Sequence, residues 1–187
     1  MGAVRDCEAI VPGLLAQPVN SLTALAFLFA GVVVVARTEH HWLGWALAAT
    51  GVGSFLFHGP MPPGAEWIHD VTLAWLLLVV AGIGLGRDRW GRLPGLILLA
   101  ALMAAFPILG DPVGVGLAGV AIGALVIRDR SVRTLGPMTL LLLGALVGRL
   151  GATGGPLCDP GSLVQAHGVW HLAAAAAAAW WGLARRP

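Results

Sequence analysis

Long apolar runs, broken at short intervals by glycine, proline or charge, fill the chain from residue 20 to residue 184. A helix needs about 20 apolar residues to cross a bilayer, and spans of roughly 17 are tolerated. On that measure the pattern predicts seven helices, over residues 20–37, 42–58, 65–86, 93–110, 112–128, 132–151 and 162–184. The fourth and fifth are divided only by Gly110-Asp111-Pro112, a turn signal that predicts two short helices in place of one long one. A re-entrant pair is the alternative. The expected fold is all-α: a single seven-helix transmembrane domain over 1–187, with 1–19 as an outer segment and 20–184 as the bundle.

The polar connections alternate in charge. One set carries Arg37, then Arg87, Arg89 and Arg92, then Arg128, Arg130 and Arg133, then Arg185 and Arg186. The other set comprises the N-terminal segment, residues 58–65, Gly110-Asp111 and residues 152–162, and holds Arg5 alone. Arginine-rich loops stay in the cytoplasm, so the expected orientation is N-terminus outside and C-terminus inside. Trp90, Trp180 and Trp181 then fall near the inner ends, where interfacial aromatics are expected.

Composition strengthens the membrane reading. Hydrophobic residues make up 58% of the 187 and charged residues 11%, too few charges to cover a water-soluble surface. The net charge is +2, with no basic tract, which argues against a nucleic-acid partner. The first fifteen residues carry Asp6 and Glu8 and no continuous apolar stretch, so no cleavable signal is expected. The chain has no lysine, which excludes a retinal Schiff base. Lysine-free, Ala/Leu/Arg-rich usage with short loops points to a bacterial inner membrane.

Ionisable groups inside membrane helices are costly and are functional candidates by default. Ser54 and His58 close the second predicted helix in GVGSFLFH, Glu66, His69 and Asp70 open the third in EWIHD, Arg149 lies near the end of the sixth, and His167 and His171 open the seventh in HGVWH. The orientation derived from arginines puts all of them at one depth, near the outer (periplasmic) leaflet. His167 and His171 are four apart, so they stack on one helical face and suit a single ion. Ser54 stands in the same relation to His58. Three histidines with one open position make a catalytic zinc site, where the metal lowers the pKa of its water to about 7 and polarises a carbonyl. Asp70 is then the general base, or it orients a ligand. His40 and His41 read as interfacial polar groups; His69 reads the same way or as a partner behind the site. Arg149 snorkels to headgroups, pairs with Asp159, or stands behind the site or against substrate.

The segment GVGSFLFH, Asp70 twelve residues beyond His58, and HGVWH in the last helix together resemble the alkaline ceramidases. These belong to a superfamily of seven-helix membrane hydrolases that also contains adiponectin-receptor-like and GPI-remodelling proteins. The N-terminal DCE and the QPVNSLTALAF that follows resemble the family's Cys-Glu and the Glu-x-x-Asn start of its first helix. The resemblance implies zinc on His58, His167 and His171, assistance from Ser54, and Asp70 as acid/base. It implies hydrolysis of the amide of ceramide or a related N-acyl lipid to a fatty acid and an amine. It also implies a Cys7–Cys158 disulfide clamping the N-terminal segment over the site. A calcium site in that segment is the family's further feature. Asp6 and Glu8 are its candidate ligands here, while Arg5, Ile10 and Gln17 stand where the family has an acid, an Asn and a Glu.

Two other functions fit the same residues. One is a zinc lipid esterase or phospholipase. The other is a non-enzymatic metal-binding, receptor-like or transport protein, although polar groups gathered near one leaflet suit a one-sided pocket better than a transport path.

Overall fold

The computed structural model describes residues 2–185; Met1, Arg186 and Pro187 lie outside the described residues. Among the described residues there are seven α-helices and no strand: α1 (Pro18–Arg37), α2 (His41–His58), α3 (Ala65–Gly84), α4 (Leu93–Ala105), α5 (Gly110–Arg128), α6 (Val132–Leu150) and α7 (Ala166–Ala184). Short 3₁₀ turns cover Gly2–Asp6, Asp88–Gly91 and Pro107–Leu109. Four segments are long and apolar enough to cross a membrane: α1, α3, Pro107–Arg128 and α6. Of the others, α4 is short at 13 residues, and α2 and α7 carry two histidines each.

The break between the fourth and fifth helices falls earlier than the turn signal suggests. α4 stops at Ala105, Pro107–Leu109 makes the turn, and Gly110-Asp111-Pro112 is the first turn of α5. Proline is tolerated there because first-turn N–H groups have no intrahelical partner, and Asp111 favours the positive helix end. Pro107, whose ring disfavours a helical Phe106, supplies the real interruption. The seventh helix also begins later than expected, at Ala166, after a bend held by Gln165 Nε2 donating to the carbonyls of Asp159 and Ser162.

α1 lies between α2 and α7; α3 packs on α2, α4 and α5 pack on α3, and α6 packs on α7. α5 and α6, though consecutive, make little contact. Small residues set the tightest contacts. A Cβ built on Gly31 would meet the Gly44 carbonyl at 2.5 Å, and one on Gly144 would meet Ala173 Cβ at 2.5 Å. Helices approach this closely in lipid because dispersion and backbone packing, not water exclusion, hold them together. The interior is filled by Phe27, Val34, Leu43, Leu47, Val79 and Trp181, while Phe29, Leu98 and Ile127 point outward. Trp181 is thus a core side chain and not an interfacial one: it is 1% exposed, with the Arg185 guanidinium 4.8 Å from its ring. Trp90 and Trp180 are exposed.

The N-terminal segment caps one end of the bundle. Ala16 and Gln17 donate backbone N–H groups to the carbonyls of Gly59 and His58, and Ala9 donates to Pro160. Thr153 bonds Val4 and Arg5 backbone, and Cys7 N–H donates to Thr153 Oγ1. Cys7 and Cys158 form the disulfide, with sulfurs 2.07 Å apart, as the resemblance implied.

Candidate metal centre

Four pieces of chain meet beneath that cap: the end of α2, the starts of α3 and α7, and the first turns of α1. They bring His58, His167 and His171 together. Each offers one ring nitrogen, and these nitrogens lie within 4.8 Å of one another. The ring centroids are 4.5 Å apart for His167–His171, 5.0 Å for His58–His167 and 5.3 Å for His58–His171. His58 and His171 are buried, and His167 is half-buried. Among the described residues this is the one group of three or more such side chains close enough to share an ion.

A different partner orients each ring. Gln17 Nε2 donates to the carbonyls of Ala3 and Glu8, at 2.8 and 2.9 Å, which fixes the amide so that Oε1 faces His58 Nδ1 at 2.7 Å. An amide oxygen only accepts, so His58 carries its proton on Nδ1. The Thr23 hydroxyl spends its hydrogen on the Val19 carbonyl and stands 3.2 Å from His171 Nδ1, so that nitrogen donates to it. Asp6 Oδ1 lies 3.3 Å from His167 Nδ1. All three rings are therefore held with Nδ1 outward and Nε2 toward the shared space. His58 Nε2 and His167 Nε2 are buried and have no hydrogen-bond partner among the described residues. Buried imidazole nitrogens are rarely left so, and two beside a third form a group that could hold a cation. The donor set fits zinc: three imidazoles, two with the outer nitrogen fixed by a hydrogen bond and the third, His167, with its outer nitrogen facing the Asp6 carboxyl.

Ser54, 1% exposed, places Oγ 3.3 Å from His171 Nε2. One turn before His58 on α2, it faces the same space. Asp70 does not join the three nitrogens. Its Oδ1 accepts from His69 Nδ1 at 3.0 Å, and its other oxygen packs against Gly110 of α5. His69 stands between Asp70 and the cluster, stacked on Phe57 at 4.8 Å and 6.4 Å from the His58 ring. Asp70 also lines a cleft of about 410 Å³ with Gly64, Glu66, Trp67, Met103, Pro107 and Gly110. Arg149 is exposed at the end of α6 and, among the described residues, makes no ion pair; Asp159 instead accepts from the Gly161 N–H.

Both acids of the N-terminal segment are engaged. Glu8 is buried, and its oxygens accept the Val19 and Asn20 N–H groups at 2.7 and 2.8 Å. It caps α1 in place of Gln17, whose side chain is committed to His58. Asp6 faces His167, and burial pushes its carboxyl up to about 7 against the pull of His69 and Arg5. Gln17 and Thr23 went unnoticed as site residues in the sequence. Gln17 counts there as a departure from a family Glu, and Thr23 is one hydroxyl in an apolar run. Their spacing toward the first turns of α1 becomes meaningful only once α1 lies between α2 and α7.

The chain matches no protein-family model, no curated protein and no solved structure.

Proposed function

We propose that the protein is a multi-pass membrane hydrolase of alkaline-ceramidase type, cleaving the amide of an N-acyl lipid to a fatty acid and an amine. The observation that carries this reading is the set of three histidines turned Nε2-inward by Gln17, Asp6 and Thr23, with two of those nitrogens buried and unpaired. Zinc, when bound there, supplies Lewis-acid polarisation of an acyl carbonyl and activates water for attack near neutral pH.

The chain's own groups supply the rest. The Ser54 hydroxyl, beside His171, is placed to donate to the acyl oxygen as negative charge develops on it. Asp70 serves as acid/base through His69, whose Nδ1 it holds, and the pair moves a proton between the cluster and the leaving amine. The disulfide-tethered N-terminal segment closes the site from the aqueous side. The scant contact between α5 and α6 leaves a sideways route from lipid.

In this reading all seven helices cross the membrane, because α2 and α7 flank α1 and share its depth. The disulfide supports an oxidising outer compartment for the N-terminal segment and residues 152–162. The arginine pattern then sets the C-terminus in the cytoplasm of a bacterial cell and the site near the periplasmic leaflet. Calcium is not part of the proposal, since both Glu8 oxygens already accept backbone N–H groups.

The test is metal analysis joined to lipid mass spectrometry on purified protein. About one zinc per chain is expected, with release of fatty acid from ceramides. His167→Ala and His171→Ala each remove both. Carefully prepared protein without stoichiometric zinc, or with zinc but inert toward every N-acyl lipid, overturns the proposal.

A further inference from the structure

Asn20 is fully buried, yet among the described residues neither its amide oxygen nor its amide nitrogen has a hydrogen-bond partner. Its backbone N–H is satisfied, donating to Glu8 Oε2 at 2.8 Å. A buried carboxamide with two idle polar atoms is destabilising unless something outside the chain pairs with it.

The helix fixes where that side chain points. At about 3.6 residues per turn, Asn20, Thr23 and Phe27 share one face of α1, and Gln17 immediately precedes that helix. Gln17 touches His58, while Thr23 and Phe27 touch His171. Asn20 therefore faces the histidine cluster from between two of its members.

The two idle atoms specify the occupant. Oδ1 accepts and Nδ2 donates, so the ligand must offer a donor and an acceptor together. The reacting group of a lipid ester offers acceptors only. A secondary amide offers an N–H donor as well as its carbonyl oxygen. We propose that Asn20 selects amide over ester lipids at this site, Oδ1 accepting the scissile N–H and Nδ2 donating to an oxygen of the lipid's polar end. The proposal takes its substrate class from the hydrolase reading but not its chemistry. A site that hydrogen-bonds a substrate N–H rejects the analogue lacking it, because a buried acceptor is then left unpaired.

The test uses metal-stripped full-length protein in detergent and a matched pair of probes, N-palmitoylethanolamine and ethylene glycol monopalmitate, which differ only by N–H against O. Calorimetric titration should show the amide bound at least about ten-fold more tightly. Asn20→Leu and Asn20→Ala should bring the two lipids within about two-fold of each other, with the loss on the amide side. The Asn20 side chain makes no hydrogen bond among the described residues, so both variants should keep their helicity and reload with zinc as the parent does. Amide preference surviving in both variants overturns the proposal. So does a parent that does not discriminate, which would leave an ordered water as the partner, or a parallel loss of zinc uptake, which would make the role structural. Amide hydrolysis with no Asn20-dependent preference sinks this inference alone. An Asn20-dependent preference in a protein without zinc or turnover sinks only the hydrolase.

Discussion

Removing the Gln17 side chain should separate the stability of the cap from the affinity of the metal centre. Gln17 is fully buried and makes three hydrogen bonds, two as donor to the Ala3 and Glu8 carbonyls and one as acceptor from His58 Nδ1. Gln17→Leu keeps the bulk and loses all three. At about 1 kcal/mol net per neutral hydrogen bond, the fold should lose about 3 kcal/mol. The His58 ring also loses the acceptor that fixes its orientation and tautomer. Losing such a partner behind a metal ligand lowers affinity by about 10–100-fold, or roughly 1.4–2.7 kcal/mol. Gln17→Glu breaks the symmetry between these effects. Its carboxylate still accepts from His58 Nδ1 but cannot donate to Ala3 or Glu8. Zinc affinity is read by competition with a chromophoric chelator, and stability by thermal melting in the same detergent. The expected outcome is that both variants melt earlier but only Gln17→Leu binds zinc more weakly. Equal loss of zinc affinity in both variants, or none in Gln17→Leu, would refute the argument that the Gln17 oxygen presents His58 to a metal.

Reducing the disulfide, or replacing Cys7 and Cys158 by Ser, should lower the melting temperature and weaken zinc binding, because Asp6 and Gln17 both belong to the segment it anchors. Loop closure across a separation of 151 residues sets an upper bound of about 5 kcal/mol, approached only if the helices unfold fully. Gly31→Ala should destabilise by about 1–3 kcal/mol, since its Cβ would lie 2.5 Å from the Gly44 carbonyl and 2.6 Å from the Ala48 nitrogen, both backbone. A melting temperature unchanged by that substitution would mean that α1 and α2 are not packed this closely. At the other end of the bundle, hydrogen bonds from the Ser131 N–H and Thr134 hydroxyl, with Arg185 nearby, hold Asp129 down at about 2. Its folded value lies below its unfolded one, so its stabilisation is complete above about pH 4 and is lost as pH falls through 2. The melting difference between the parent and Asp129→Asn should be constant above about pH 4 and shrink toward pH 2; a difference that grows in acid would contradict this.

The apolar pattern by itself determined the helices, because a segment whose side chains are nearly all apolar must satisfy its backbone internally. Five of the seven lie within two residues of their expected limits; the seventh begins four residues late, and the fourth ends early because Asp-Pro reads equally as a turn and as a first helical turn. The i, i+4 spacing of His167 and His171 and of Ser54 and His58 was legible for the same local reason. Helix geometry alone puts each pair on one face. What tertiary structure decided was everything that depends on which helices are neighbours. Only the placement of α1 between α2 and α7 turns Gln17 and Thr23 toward the histidines. Only the approach of α5 turns Asp70 aside to His69 and Gly110, and only the bundle interior takes in Trp181. Helix formation is a property of consecutive residues, but the orientation of an imidazole is fixed by partners far away in the chain.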